Sequence, residues 1–275
     1  MLRTLDGAVR AFLDARYRVL ENEDVLDAVL PVLAEHKLIV LSCALTEKCL
    51  YLKAVDRSIE RDVPTGRTLG DDTNGFFDTI SPGIVISYHE PDAGPLSVET
   101  CVWTKACTNL AVMGTTIRTH HLAGHRELSG EDWVLAARET RELTAAAIRG
   151  PIRDLVVSAI DEAKFRAVEK MLMLAAMSPM ESSDVVEVVE RVGERFGLDE
   201  SEMRSVLQHF TRGRDFSRYG LQAAITRASA DVEDYERATE LERLGGRVIL
   251  LPPAEWNGIL EGLPHVPRVT RKVAS

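Results

Sequence analysis

Apolar residues along this chain recur with two different periods, and the switch between them divides it. In Thr4–Leu13 the apolar positions Leu5, Val9, Phe12 and Leu13 fall at helical spacing and predict a short amphipathic helix. Asn22 is placed to cap a second helix with Val25, Leu26, Val29 and Leu30 on one face, which Pro31 should kink. From Lys37 the pattern turns to strands. Leu38–Ala44 and Leu50–Val55, on either side of Thr46-Glu47-Lys48, predict a β-hairpin. Asp56–Phe77 is polar and carries Pro64, Gly66, Gly70 and Gly75, so it predicts a long loop, with or without a strand inside it. Gly83–Tyr88 and the alternating Leu96–Trp103 predict two more strands, joined by a turn at His89–Gly94.

Beyond residue 126 the period is helical. Ser129-Gly-Glu-Asp132 resembles a capping box and opens a helix to about Ile148. Pro151 suits the first position of the next, which runs toward Met177 with Ile152, Leu155, Val156, Ile160, Phe165, Val168, Leu172 and Leu174 on its apolar face. Ser183–Phe196 stops at Gly197, and Asp199-x-x-Glu202 starts a helix to about Phe210. Tyr219–Ser229 and Val232–Leu244 form a last helical pair, and Gly245-Gly246 leads into an expected strand, Arg247–Leu251. The expected fold class is α+β. A mixed half with hairpins covers 1–126, and a mostly helical half ending in a short strand covers 127–275, the two integrated as one domain.

Composition narrows the classes of function. Of 275 residues, 45% are apolar and 28% charged, enough for an ordinary core. The longest apolar runs, such as Leu38–Leu41 and Val248–Pro253, fall far short of the roughly 18 residues of a membrane span. Met1–Arg10 lacks a basic stretch followed by an apolar one, so no signal peptide is read and a cytoplasmic location with reduced thiols is expected. The net charge of −10 argues against a protein that coats duplex DNA by bulk electrostatics, while leaving room for a local basic groove. The basic residues are 26 Arg and 7 Lys, which fits GC-rich coding and also suits phosphate recognition.

Most catalytic constellations are missing or weak. Cys43, Cys49, Cys101 and Cys107 are spaced C-x5-C twice, without the tight knuckle of a structural zinc site. Cys107, His121 and His125 could form a metal or thiol centre together with His120. The histidines lack the H-E-x-x-H general base, however, and the cysteines sit in apolar surroundings that favour inert thiols. No metal and no cofactor are therefore expected. No G-x-S-x-G, G-x-G-x-x-G or P-loop motif occurs. The helices on either side of Gly197 have the outline of a helix-turn-helix. Glu200 and Glu202 at the start of the second are poor readers of a phosphate-lined groove, so a plain helical hairpin is favoured.

Basic clustering is the stronger signal. Arg204, Arg212, Arg214, Arg218 and Arg227 face a single acid, Asp215, with Phe210, Phe216 and Tyr219 interleaved, a pattern that could contact phosphates and stack single-stranded bases. Lys105, Arg118 and Arg126 add an acid-free stretch, and Arg268, Arg271 and Lys272 a basic tail. The competing arrangement pairs these arginines with the acid-rich segment Asp231–Glu242.

Leu13-Asp14-Ala15-Arg16-Tyr17-Arg18, the hairpin Leu41–Lys53, the strand Gly83–Ser87, Cys107-Thr108-Asn109 and Tyr219–Ala228 with its Thr226-Arg227 together resemble the phage- and plasmid-encoded proteins grouped as domain-of-unknown-function family nine-three-two. Arg16-Tyr17-Arg18 and Cys107-Thr108-Asn109 match that family's elements, whereas Tyr88–Gly94 replaces its Asn-Ser-Glu-x-Gly turn and Gln222-Ala223 stands where Asn is usual. The resemblance implies a mobile-element origin and points toward single-stranded DNA handling in replication or recombination. The expected function is thus a non-enzymatic, oligomeric accessory that binds or anneals single-stranded DNA. Its contacts would be Lys105, Arg118, Arg126, Arg212, Arg214, Arg218 and Arg227, with Phe216 and Tyr219 stacking. The alternatives are a Cys/His or metal-dependent hydrolase or nuclease around Cys107 and His121, and a module that binds a host or phage protein.

Overall fold

The computed structural model describes residues 2–5, 8–12, 21–65, 77–89, 96–105, 109–113, 117–119, 149–180 and 184–262. Strands β1 (Leu2–Leu5) and β2 (Ala8–Phe12) pair antiparallel, Leu2 opposite Phe12. They replace the helix expected over Thr4–Leu13. The apolar positions of so short a window fit either period, and Thr4, Val9 and Phe12 favour the extended chain. Helix α1 (Asn22–Glu35) is capped by Glu21, one residue earlier than expected, through a reciprocal box with Asp24. It continues through Pro31, and the Asp27 carbonyl that Pro31 cannot serve accepts from the Arg149 guanidinium at 3.5 Å.

An antiparallel seven-stranded sheet follows: β3 (Ile39–Leu45), β4 (Cys49–Val55), β5 (Arg61–Pro64), β6 (Phe77–His89), β7 (Leu96–Thr104), β8 (Asn109–Val112) and β9 (Ile117–Thr119). The main order is β3-β4-β6-β7-β8. The long β6 also takes β5 from the expected loop, and β7 also takes β9. One face carries Leu50, Leu52, Ala54, Ile84, Ile86 and Val98. It packs on Val25, Val29 and Val32 of α1 and on Ile152 and Val156 of α2, described over residues 149–159.

The helix expected from Pro151 to Met177 is broken at Asp161, whose carboxylate caps α3 (Glu162–Ala176) by accepting from the Lys164 amide. The remaining helices are α4 (Val185–Phe196), α5 (Glu200–Gly213), α6 (Arg218–Ala228), α7 (Tyr235–Leu250) and α8 (Pro253–Leu260). Their core joins Val188, Val192, Val206, Phe210, Leu221, Ile225, Leu244, Val248 and Trp256. The strand expected at Arg247–Leu251 is the end of α7. Gly245 and Gly246 are not a break: a Cβ on Gly246 would run into the Val112 carbonyl of β8, and one on Gly245 into the Thr226 methyl of α6. Small residues there let α7 lie directly between sheet and α6. The fold is α+β, and the expected C-terminal strand is absent from it.

Candidate nucleic-acid interface

Helix α5 is fixed on its inner side by four kinds of contact. Gly197 adopts φ +73°, a left-handed conformation open to glycine, and stops α4. Asp199 then caps α5 by accepting from the Glu202 amide at 2.8 Å, while Glu202 accepts from the Asp199 amide at 3.0 Å. Glu202 is also held in a fork by Arg237 of α7, at 2.6 and 2.7 Å, and Arg237 donates to the Gly197 carbonyl as well. The fork holds the Glu202 carboxyl below its usual range, against the opposing effect of burial. Further along, Ser205 and His209 both reach Asp231 after α6, at 2.5 and 2.8 Å. Phe210 is buried edge-on against Phe216.

The other side of the helix is open. Arg204, Gln208 and Arg212 occur at i, i+4 and i+8 and are exposed, as are Thr211 and Arg214. With the half-buried Leu207 they line a shallow groove of about 610 Å³. Arg214 ends the helix at φ 52°, a conformation that side chains other than glycine rarely adopt. The end of the Arg227 guanidinium comes within 4.0 Å of the Cβ position of Gly213, so α6 adds a further cation at this end.

Most other described arginines are committed. Arg61 and Arg166 pair with Glu162, Arg153 with Glu35, Arg191 with Glu187, Arg195 with Glu255, and Arg243 with Glu99. Among the described residues Arg204, Arg212 and Arg214 have no carboxylate within ion-pair distance, although Arg212 lies close enough to Asp231 to help lower that carboxyl. The acids of the segment Asp231–Glu242 are served instead by His209 on Asp231, Arg237 on Glu240 and Lys53 on Glu242, and Arg204, Arg212 and Arg214 make no ion pair with it.

Several expected contact residues have other tasks. Arg218 is buried and does not face solvent. Its Nε and Nη2 donate to the Val248 carbonyl at 2.8 and 2.6 Å, and Nη2 donates also to Ile249 and Leu251, closing the C-terminus of α7. The guanidinium lies 5.1 Å from the Trp256 ring centre, and desolvation lowers its pKa. Tyr219 is fully buried and donates to Asp78 at 3.1 Å, so it cannot stack a base. Phe216 is half-buried against Phe210. Lys105 is exposed at the end of β7 but paired with Glu60 at 3.3 Å. Arg118 lies on β9 opposite Ser97, in the sheet half. Of the residues that carry the expected resemblance, Asn109 opens β8, and Thr226 is buried with its hydroxyl donating to the Gln222 and Ala223 carbonyls. Arg16, Tyr17, Arg18, Cys107, Thr108, His120, His121, His125, Arg126 and the basic tail lie outside the described residues.

Sequence reasoning also missed a buried polar layer between the sheet and α7. Lys53 of β4 pairs with Glu242 at 2.6 Å, and Glu99 of β7 receives Arg243 at 2.6–3.2 Å. Tyr235 stacks at 5.4 Å on Tyr51 and bonds Ser42 at 2.8 Å. The available signal was a charge at the inward position of each strand, Lys53 amid Leu50-Tyr-Leu and Glu99 amid Ser97-Val. Burial pushes the nearby Cys49 thiol up to about 11 and Cys101 well up, so neither is an activated nucleophile. Among the described residues no group of His, Cys, Asp and Glu is arranged to hold a metal ion. No described helix is long and apolar enough to cross a membrane.

Comparison with known proteins gives no match: no family model, no curated protein and no solved structure matches the chain.

Proposed function

We propose that this protein is a non-enzymatic DNA-binding accessory of a phage, prophage or plasmid, and that it contacts phosphates through the C-terminal part of α5. The supporting observation is that Arg204, Arg212 and Arg214 lie on one exposed face with no ion pair among the described residues, in a chain of net charge −10 whose other described arginines are largely matched. Unmatched guanidinium groups along one groove suit a polyanion, because binding releases condensed counterions from it. The resemblance to family nine-three-two adds the mobile-element setting and the direction toward replication and recombination. The direction toward single-stranded DNA comes from that resemblance, and the expected stacking residues lie elsewhere: Tyr219 is buried and Phe216 packs on Phe210. Self-association belongs to the same proposal: no described strand pairs with the outer edge of β3, which exposes Ile39, Val40 and Leu45.

Fluorescence polarisation of labelled single- and double-stranded oligonucleotides tests the proposal, at low and then at physiological salt. Binding that weakens steeply with salt is expected. No binding to either form at low salt would overturn it, and a host or phage protein partner would become the reading to pursue.

A further inference from the structure

We propose that α4, the turn Gly197–Asp199 and α5 form a helix-turn-helix that places α5 in the major groove of duplex DNA. Arg204 and Gln208 would lie on base edges and Arg212 and Arg214 on phosphates. This rests on the DNA-binding reading above and deepens it.

Three features separate the pair from a plain helical hairpin. The connection is three residues long and opens on a left-handed glycine, as the motif requires. Beside it the Met203 side chain packs onto Gly193, where a Cβ would collide with the thioether. The two helices touch little, whereas α5 runs alongside α6, and α6 alongside α7, over much of their lengths. The outer face of α5 is left exposed. Val188 and Val192 of α4, Leu198 of the turn and Val206 and Phe210 of α5 belong to one buried cluster that ties the pair to the helical core.

The acids that argued against this reading divide in the structure. Glu202 faces inward, buried against the cap and Arg237, and presents nothing to a ligand. Glu200 alone remains exposed in the first turn, and a carboxylate there can accept from a cytosine amino group. Arg204 to Arg212 spans about 12 Å of helix, which matches three to four base-pair steps. An arginine followed one turn later by a glutamine has the fork geometry for guanine O6/N7 and then for adenine N6/N7. A single strand offers no groove, and the face holds no exposed aromatic side chain among the described residues on which bases could stack.

The experiment is selection from a randomised duplex library with the full chain, then polarisation with the selected duplex, its separate strand and a scrambled duplex. Arg204→Ala, Gln208→Ala and, as a control remote from α5, Arg166→Ala are measured in parallel. A short enriched motif is expected. Arg204→Ala and Gln208→Ala should each weaken the selected duplex by about tenfold and relax preference at one base pair, with scrambled duplex little affected. Arg166→Ala should behave as the parent. Preference for the single strand, or duplex binding without an enriched motif, would overturn the helix-turn-helix and leave the DNA-binding reading standing. Absence of binding to every probe would overturn both.

Discussion

Arg214 and Arg218 stand four residues apart, and position alone decides which is available to a ligand. Arg218 lies in the first turn of α6, under the end of α7, where four short hydrogen bonds use its planar fork on carbonyls that the helix leaves unserved. Replacing it by Met should cost about 2–4 kcal/mol by stranding those carbonyls. DNA binding by the remaining folded protein should be unchanged, and paired urea melts and polarisation check both halves. Arg214 is the opposite case, an exposed cation held at φ 52°. Arg214→Gly should raise stability by about 0.5–1 kcal/mol while weakening DNA binding, because strain is retained where a side chain is needed. A variant that is less stable, or that binds as tightly as the parent, would show that the strain serves packing instead.

Elements were legible where period and caps agreed. The Asp199-x-x-Glu202 box, the stop at Gly197 and the hairpin β3–β4 could be read directly, because local chemistry and tertiary contacts favour the same state. Elements failed where two periods fit one short run. Leu2–Phe12 pairs as strands, and Arg247–Leu250, an apolar run after two glycines, continues α7. Those glycines answer to β8 and α6, which no local rule sees. The same limit hid the orientation of Glu202, whose role depends on Arg237, 35 residues away. That pair makes a pH prediction. The folded-state pKa of Glu202 is lowered, so its contribution is complete above the ordinary glutamate range and is lost as pH falls through the folded value. Glu202→Gln should lower stability at neutral pH and flatten the acid limb of stability against pH. An acid limb as steep as the parent's would place the acid sensitivity elsewhere.

At the scale of the molecule, one side of the sheet packs on α1 and α2 through aliphatic side chains, and the side toward α7 mixes aliphatic packing with buried ion pairs. The ion pairs Lys53–Glu242 and Glu99–Arg243, set on one sheet face beside Val55, Val85 and Cys101, could not be read from composition, which averages over both faces. Desolvation keeps the Glu242 carboxyl above its usual range despite Lys53. Lys53→Met should therefore cost about 3 kcal/mol at neutral pH, less as Glu242 protonates in mild acid, and Lys53→Met with Glu242→Met should recover most of it. Denaturant melts of the two variants decide this; a double variant as unstable as the single would mean that the charges fix the docking of α7.

The proposed function places the nucleic acid on the basic end of α5. The salt dependence of DNA binding tests that directly, comparing the parent with Arg212→Ala/Arg214→Ala on one oligonucleotide from low to physiological salt. Each lost phosphate contact lowers the slope of log affinity against log salt by about 0.7–0.9, so the double variant should bind more weakly with a slope smaller by about 1.5. An unchanged slope would place the DNA contacts somewhere other than α5.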